Sequence, residues 1–476
     1  MGDGPCMAEI RRTKLWATLG PSTDGPGVLV KLFEAGLSAV RLNMSHGVPA
    51  DHARRLAAVR RMAARFGRHV PVLFDLCGPK IRVGRLPDGG LELVRHQAVR
   101  LTAGEGPAGA PAGGQPVEIP VPVPVLLAQA RRGLQFLLKD GLIRLRVVRA
   151  GSAGVLCEVE EGGVLRSRQG IALPGTRLPL PALTAKDLSD LAFGRRVGAD
   201  VFALSFARSA RDVRRAAKLA GEVPLVAKIE RPEALDELEG IIGACAGVMV
   251  ARGDLGVELG PERVPLVQKE VLAAANRHGK LAILATQMLA SMEESPVPTR
   301  AEATDVANAV LDGADGLLLT GETAGGKHPV AAMRMLARIV DEVERSALYR
   351  THPAAPLCAA EGPEDALAAA AAGLLAEQRL AALVVLSRSG RTAALLSDHR
   401  PMVPIVALAP EPVTARRLAL QWGVVPAVRG AREGRDAAAA VACARRVLRL
   451  GGGPAWFGLL HGDPRGSARH LSLVRG

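Results

Sequence analysis

The 476-residue chain carries 61 Lys and Arg against 47 Asp and Glu, a formal charge of +14, with 48% hydrophobic and 3% aromatic residues. That length exceeds one ordinary core, so two or three domains of a soluble globular protein are expected. The basic residues are dispersed, only ten of the 61 are lysine, and aromatics to stack on bases are scarce, which argues against a nucleic-acid binder. A basic surface still steers small anions toward the protein. The opening MGDGPCMAEIRRTK lacks the apolar core of a signal peptide. No uninterrupted apolar run approaches the roughly 18 residues of a membrane span. Cys6, Cys77, Cys157, Cys245, Cys358 and Cys443 are scattered without paired spacing. They read as free thiols of a cytoplasmic protein, not a disulfide framework or a zinc site.

Short β-type runs alternate with helical stretches, beginning with KLWAT (14–18), SAVRLN (38–43) and VPVLFDL (70–76). After a gap come DVFALSF (200–206), VPLVAKIE (223–230), GVMVARGD (247–254), LAILATQ (281–287) and GLLLTGE (316–322). Eight buried strands separated by helices predict an α/β fold, a closed (β/α)8 TIM barrel over 8–85 and 182–347. Thr184 with Asp187 opens one of its helices as a capping box. The gap, 86–181, is rich in Val, Leu, Gly and Pro, with turn residues Pro87-Asp88-Gly89-Gly90 and alternating runs such as LIRLRVV. It reads as a small inserted β-barrel domain that returns through QGIALPG (169–175). Inserted after the third strand, it emerges on the face where such barrels keep their chemistry, in position to act as a lid. Residues 355–476 read as a compact C-terminal α/β domain that opens with an alanine-rich helix (364–378). There Ser387, Ser389, Gly390, Arg391 and Thr392 form a strand-to-helix turn. Backbone amides at such a turn suit a phosphate, and a plain helix cap with solvated arginines fits equally well.

Polar residues crowd the carboxyl ends of the barrel strands. Residues two apart on a strand share a face, which places Lys228 beside Glu230 and Arg252 beside Asp254. Two carboxylates flanked by two fixed cations suit a phosphoryl transfer assisted by Mg2+. That ion takes one or two protein carboxylates and completes its shell with substrate oxygens and water. The cations offset charge on the phosphoryl group in transit. Arg41, Asn43 and Ser45 share a face at the end of the second strand, able to hold a phosphate and help coordinate a cation. Asp75 ends the third strand, with Lys80 beyond it; Ser205 ends the fourth, and Thr286 the seventh. Each alone is an ordinary cap or surface salt bridge. Their convergence on one rim is the signal.

RTKLWATLGPST, EAGLSAVRLNMSHG, VAKIE, VMVARGDLGVE, ATQML and PTRAEATDVANAVLDGADGLLLTGETA resemble the pyruvate kinase family, and the likeness runs through nearly the whole chain. The resemblance implies a glycolytic enzyme that moves the phosphoryl group of phosphoenolpyruvate to ADP, giving pyruvate and ATP. It implies that Lys228 stabilises the phosphoryl group, that Arg41 binds the phosphate, and that Thr286 assists protonation of the enolate. Glu230 and Asp254 match ligands of Mg2+ (or Mn2+), and Gly253 with Asp254 match substrate contacts. Asn43, Ser45 and Asp75 match monovalent-cation positions. Asn43, His46, Arg82 and Arg168 fall on the nucleotide side. A homotetramer and a sugar-phosphate or nucleotide effector on the 387–392 turn are further implications.

Two positions depart from the pattern. Members that need potassium commonly carry a glutamate where this chain has Lys80, in Leu76-Cys77-Gly78-Pro79-Lys80. The expectation is that the Lys80 ammonium supplies the charge and makes K+ dispensable; a Lys80 that simply faces solvent is the plainer alternative. Gln169 stands where the family often has a lysine facing the nucleotide, with Arg168 next to it to compensate. Two rivals stay open: a metal-dependent 2-keto-acid aldolase-like barrel, which needs neither lid nor C-terminal turn, and a basic scaffold without catalysis.

Overall fold

The computed structural model describes residues 10–106, 115–351, 362–377, 380–434, 436–451, 453–462 and 469–476. Cys6, Cys358 and the first residues of two expected domains (8–9 and 355–361) lie outside the described residues. Eight strands, Lys14–Thr18, Ala39–Asn43, Val72–Asp75, Val201–Leu204, Leu225–Ile229, Gly247–Ala251, Leu281–Ala285 and Gly316–Leu319, close into a barrel. Every neighbouring pair is parallel, including the first and last strands, where Lys14 faces Gly316. Each strand falls inside a run read from the sequence. Continuous apolar runs form strands here because both faces are covered. Leu15, Val40, Phe74, Phe202, Val250 and Leu284 pack outward in one core shared with the surrounding helices. Trp16, Leu73, Val226, Met249, Ile283 and Leu318 fill the interior as a separate cluster.

The inward face changes character along the strands. Ala39 is followed two residues later by Arg41, Leu73 by Asp75, Ala203 by Ser205, and Val226 by Lys228 and Glu230. A dry plug therefore supports a polar layer at the carboxyl-terminal mouth. Helices are started by the signals anticipated: the Thr184 side chain accepts from the Asp187 amide at the start of Ala185–Val197.

The insertion is a six-stranded sheet in the order Ile171–Ala172, Gln135–Leu138, Ile143–Gly151, Gly154–Glu161, Ala98–Ala103, Val117–Val121, antiparallel except for the last pair. A two-stranded ribbon, Leu91–Leu93 with Gly163–Leu165, accompanies it. Alternation along Ile143–Gly151 buries Ile143, Leu145 and Val147 in its own core, which Ile81 and Val83 also join.

The C-terminal sheet runs Val424–Val428, Ile405–Ala409, Leu380–Leu386, Trp456–Gly462, Arg469–Arg475, parallel except for the final strand. It docks on the amino-terminal end of the barrel. Lys14 Nζ donates to the Val424 carbonyl at 2.8 Å, Arg416 Nε lies 2.7 Å from Asp200 Oδ1, and Arg400 Nη1 lies 2.5 Å from Asp315 Oδ1. Leu420 joins the interior cluster. The inserted and C-terminal domains thus occupy opposite ends of the barrel. Among the described residues no helix is long and apolar enough to cross a membrane.

Asp398 lies beside this docking surface, and burial, with Asp315 and Asp365 adding to it, pushes its carboxyl up to about 7 against the pull of Arg400. An unfolded Asp titrates near ~3.9, so folding takes up a proton between those values. The associated stability is complete below the lower value and lost as pH rises through the higher one. Asp398→Asn is expected to raise the Tm by a few degrees at about pH 8 and to leave it nearly unchanged at about pH 4, read by scanning calorimetry.

Candidate active site

Four charges alternate across the mouth of the barrel. Arg41 Nε donates to Asp75 Oδ2 at 2.7 Å, and its Nη2 lies 2.6 Å from the same oxygen. Lys228 Nζ stands 3.3 Å from Asp75 Oδ2 and 2.8 Å from Glu230 Oε1, and donates to Ser205 Oγ at 2.8 Å. Thr18 Oγ1 receives Arg41 Nη1 at 3.1 Å. Asp75 is 1% and Glu230 0% exposed. Burial alone would raise the Asp75 carboxyl, but Lys228 and Arg41 outweigh it and hold it below the ordinary range. Burial would likewise lower Lys228, yet Asp75 and Glu230 raise it, so its ammonium stays protonated. Glu230 is raised by burial, with Asp254 adding to the effect against Lys228.

Glu230 Oε2 accepts from the Phe206 amide at 2.7 Å. Phe206 itself has a left-handed backbone, φ +55°. Glu230 Oε1 is buried and, despite the nearby ammonium, receives no directed hydrogen bond.

The sixth strand stops at Ala251, and a helix, Arg252–Leu259, begins at once. This corrects the expectation that Arg252 and Asp254 share a face: residues two apart on a helix are turned by roughly 200°. Arg252 instead points away, pairing with Asp305 Oδ2 at 2.5 Å and donating to the carbonyls of Thr286 (2.9 Å) and Gln287 (3.0 Å). It braces the loop after the seventh strand and is not a second cation at the mouth. Asp254 stays in the first turn of the helix, where a carboxylate is favoured by the helix dipole.

Lys80 makes its ion pairs with Asp254 Oδ1 at 2.7 Å and with Asp140 of the inserted domain at 3.9 Å. It neutralises Asp254, whereas Asp75 is neutralised by Arg41 and Lys228. Thr286 Oγ1 donates to the Ala285 carbonyl at 2.6 Å and accepts from the Gly253 amide at 2.9 Å. Thr286 and Gln287 both adopt positive φ, +66° and +55°; such strain persists only where the surroundings over-determine it.

Asn43 Oδ1 accepts from the Ser45 amide at 3.0 Å, closing a local turn. His46 is lowered by partial burial and then by Arg82, Arg41 and Lys80, which keeps the imidazole neutral among cations. Arg82 Nη1 donates to the Arg168 carbonyl at 2.9 Å, while Arg168 itself is exposed with φ +62°. Gln169 Oε1 accepts from the Arg166 amide at 2.9 Å, so this side chain is committed to its own turn. Far away on the C-terminal domain, Ser387 Oγ accepts from the Gly390 amide at 3.0 Å, Gly390 has φ +94°, and Arg391 Nε lies 3.4 Å from Glu364. Ser389 and Arg391 are exposed there, and Thr392 is half-buried.

A cleft between barrel and insertion is lined by Lys80, Asp140, Gly170, Phe206, Asp254 and Glu258 among others. Sequence reasoning missed Asp140, Arg231 and Glu258. Burial pushes the Glu258 carboxyl up to about 7 against the pull of Arg231, with Glu233 and Asp254 adding to the rise. Two of these residues carried a signal: Arg231 directly follows Glu230, and Glu258 stands one helical turn after Asp254. Asp140 carried none.

A (β/α)8 barrel whose mouth pairs two buried carboxylates with an arginine and a lysine, under an inserted domain, belongs to the barrel enzymes that act on small anionic substrates. The barrel-domain family model of pyruvate kinase matches residues 10–333, and that of its alpha/beta domain matches 365–475. A pyruvate kinase of Agrobacterium vitis is 44% identical over 422 residues, covering 87% of this chain and 86% of that one. One from Mycobacterium tuberculosis is 42% identical over 418 residues, covering 87% and 86%. The crystal structure of a pyruvate kinase from Cryptosporidium parvum superposes with a TM-score of 0.85 at 30% identity, covering 98% of this chain and 96% of that one. The chain belongs to the pyruvate kinase family, glycolytic enzymes that transfer the phosphoryl group of phosphoenolpyruvate to ADP. The aldolase alternative is not favoured.

Asp75 is the shared counter-charge of buried Lys228 and partly buried Arg41. Removing one partner of such a group costs roughly 3–5 kcal/mol. Asp75→Ala is therefore expected to destabilise the fold by about that amount in urea unfolding, well beyond an exposed carboxylate such as Asp236.

Proposed function

We propose that phosphoenolpyruvate binds at the barrel mouth with its phosphate against Arg41 and Lys228, and that Glu230 and Asp254 hold the divalent ion. The observation that carries this reading is the buried Lys228, fixed between Asp75 and Glu230 with its proton retained. The donor set fits Mg2+ or Mn2+: two carboxylates, one with a buried oxygen that receives no directed hydrogen bond. Among the described residues no group of three or more His, Cys, Asp or Glu side chains could hold a metal ion; substrate oxygens and water would have to complete the shell of an ion held by these two carboxylates. Bound there, the ion acts as a Lewis acid toward substrate oxygens.

The side chains then divide the work. Lys228 and Arg41 are fixed cations that spread charge from the phosphoryl group as it leaves the enol oxygen for ADP. Because its proton is retained, Lys228 stabilises charge and is not the acid. The Gly253 backbone and the Asp254 carboxylate orient substrate. Thr286, locked by its two hydrogen bonds, stands where protonation of the enolate at carbon three completes the reaction. Asn43, His46, Arg82 and Arg168 receive the nucleotide, and the inserted domain excludes water from the transfer. Asn43, Ser45 and Asp75 are the monovalent positions, with Lys80 providing the charge that makes K+ dispensable. The 387–392 turn binds a phosphorylated effector, and the enzyme works as a cytoplasmic homotetramer.

Pyruvate formation from phosphoenolpyruvate, ADP and Mg2+, in potassium and then in tetramethylammonium, tests both layers. ADP-dependent activity is expected in both buffers, and a large potassium stimulation overturns the role given to Lys80. Lys228→Met is expected to lower kcat by about 100-fold or more. Lys80→Glu is expected to make the activity potassium-dependent.

A further inference from the structure

The hydrogen-bond ladder between the fifth and sixth barrel strands ends where Ile229 faces Val250. Glu230 and Asp254 both lie beyond that last rung, so the sheet itself does not fix the distance between them. What spans the gap is a partly buried ion pair. Arg231, next in the chain to Glu230, caps the short helix Pro232–Asp236, and its Nη1 pairs with Oε1 of Glu258. Glu258 stands one turn after Asp254 on the helix Arg252–Leu259. The two side chains are only 15% and 5% exposed, and Glu233 backs the arginine at 3.4 Å.

The same guanidinium reaches a third element. Its Nη2 donates to the Thr176 carbonyl at 2.9 Å. Thr176 belongs to residues 173–181, a segment without helix or strand through which the inserted domain returns to the barrel. Arg208 holds that strap further along, donating to the carbonyls of Leu178 at 2.9 Å and Leu180 at 2.6 Å. Across the cleft, Lys80 links Asp254 to Asp140 of the insertion.

We infer that Arg231 and Glu258 are positioning residues that set the separation of Glu230 and Asp254 and tie it to the seating of the inserted domain. The inference rests on those two carboxylates being the metal ligands. Supporting groups one step removed from a metal commonly change its affinity by about 10- to 100-fold, and a fork-shaped guanidinium serves two acceptors where an ammonium serves as a point charge.

The test is calorimetric titration of the full chain with Mn2+ without substrates, beside hydrogen–deuterium exchange of the peptide covering 173–181. Glu258→Gln is expected to weaken Mn2+ binding about tenfold or more and to speed exchange of the strap. Arg231→Lys keeps the ion pair but loses the fork, so Mn2+ affinity is expected to stay within about threefold while strap exchange still rises. Parent-like Mn2+ affinity in Glu258→Gln, even with a lowered Tm, overturns the inference by reducing the pair to a structural brace. If that variant does not fold, Arg231→Lys decides: faster strap exchange supports the tie and unchanged exchange overturns it. A parent protein that binds no Mn2+ removes the ligand assignment itself, and the inference with it.

Discussion

The mouth of this barrel depends on one arrangement, the alternation Arg41, Asp75, Lys228, Glu230 in a water-poor layer. Each charge there is tolerated only because its neighbours carry the opposite sign, since an isolated buried ion costs far more than a buried pair. The alternation also explains why Lys228 keeps its proton and Asp75 stays ionised. Electrostatic preorganisation of this kind costs nothing at the moment of reaction because the dipoles and charges are already oriented. Beneath it, the dry interior of Trp16, Met249 and Leu318 keeps the layer from sinking or hydrating from below.

The rest of the molecule serves that layer from two sides. Helix-facing side chains make the barrel rigid, and the C-terminal domain closes the far end through Lys14, Asp200 and Asp315, each at the start of a barrel strand. The inserted domain has its own core and meets the mouth through a few polar contacts.

Most of the scaffold was legible in the sequence because it follows from periodicity. All eight strands are short apolar runs, and the rule that i and i+2 share a face placed Lys228 beside Glu230 correctly. The same rule failed at Arg252, because the strand gives way to a helix one residue earlier and the spacing loses its meaning. Nothing in the composition of GVMVARGD marks that switch. Lys80 shows a different limit. Its chemistry was visible, but its partner Asp254 is 174 positions away, and only the closed barrel brings them together. The reach of Asp140 into the cleft was illegible for the same reason, since an exposed turn of the insertion carries no local sign of what it faces.

The order of synthesis gives the barrel's closure a further meaning. The first strand pairs with the last, Lys14 against Gly316, and its flanks are pinned by Arg11 to Asp341 and by the Arg12 amide to Glu344. A nascent chain emerges from its amino end and its domains fold in that order. The inserted domain, whose core residues run from Ile81 to Leu173, is therefore complete while half of its host is still unmade. Until residues 316–344 have appeared, the opening strand is paired only with the second strand and lacks its closing partner and its ionic anchors. During translation this protein is thus a finished inserted domain riding on an open, apolar half-barrel, and that interval is when it most needs shelter from other chains.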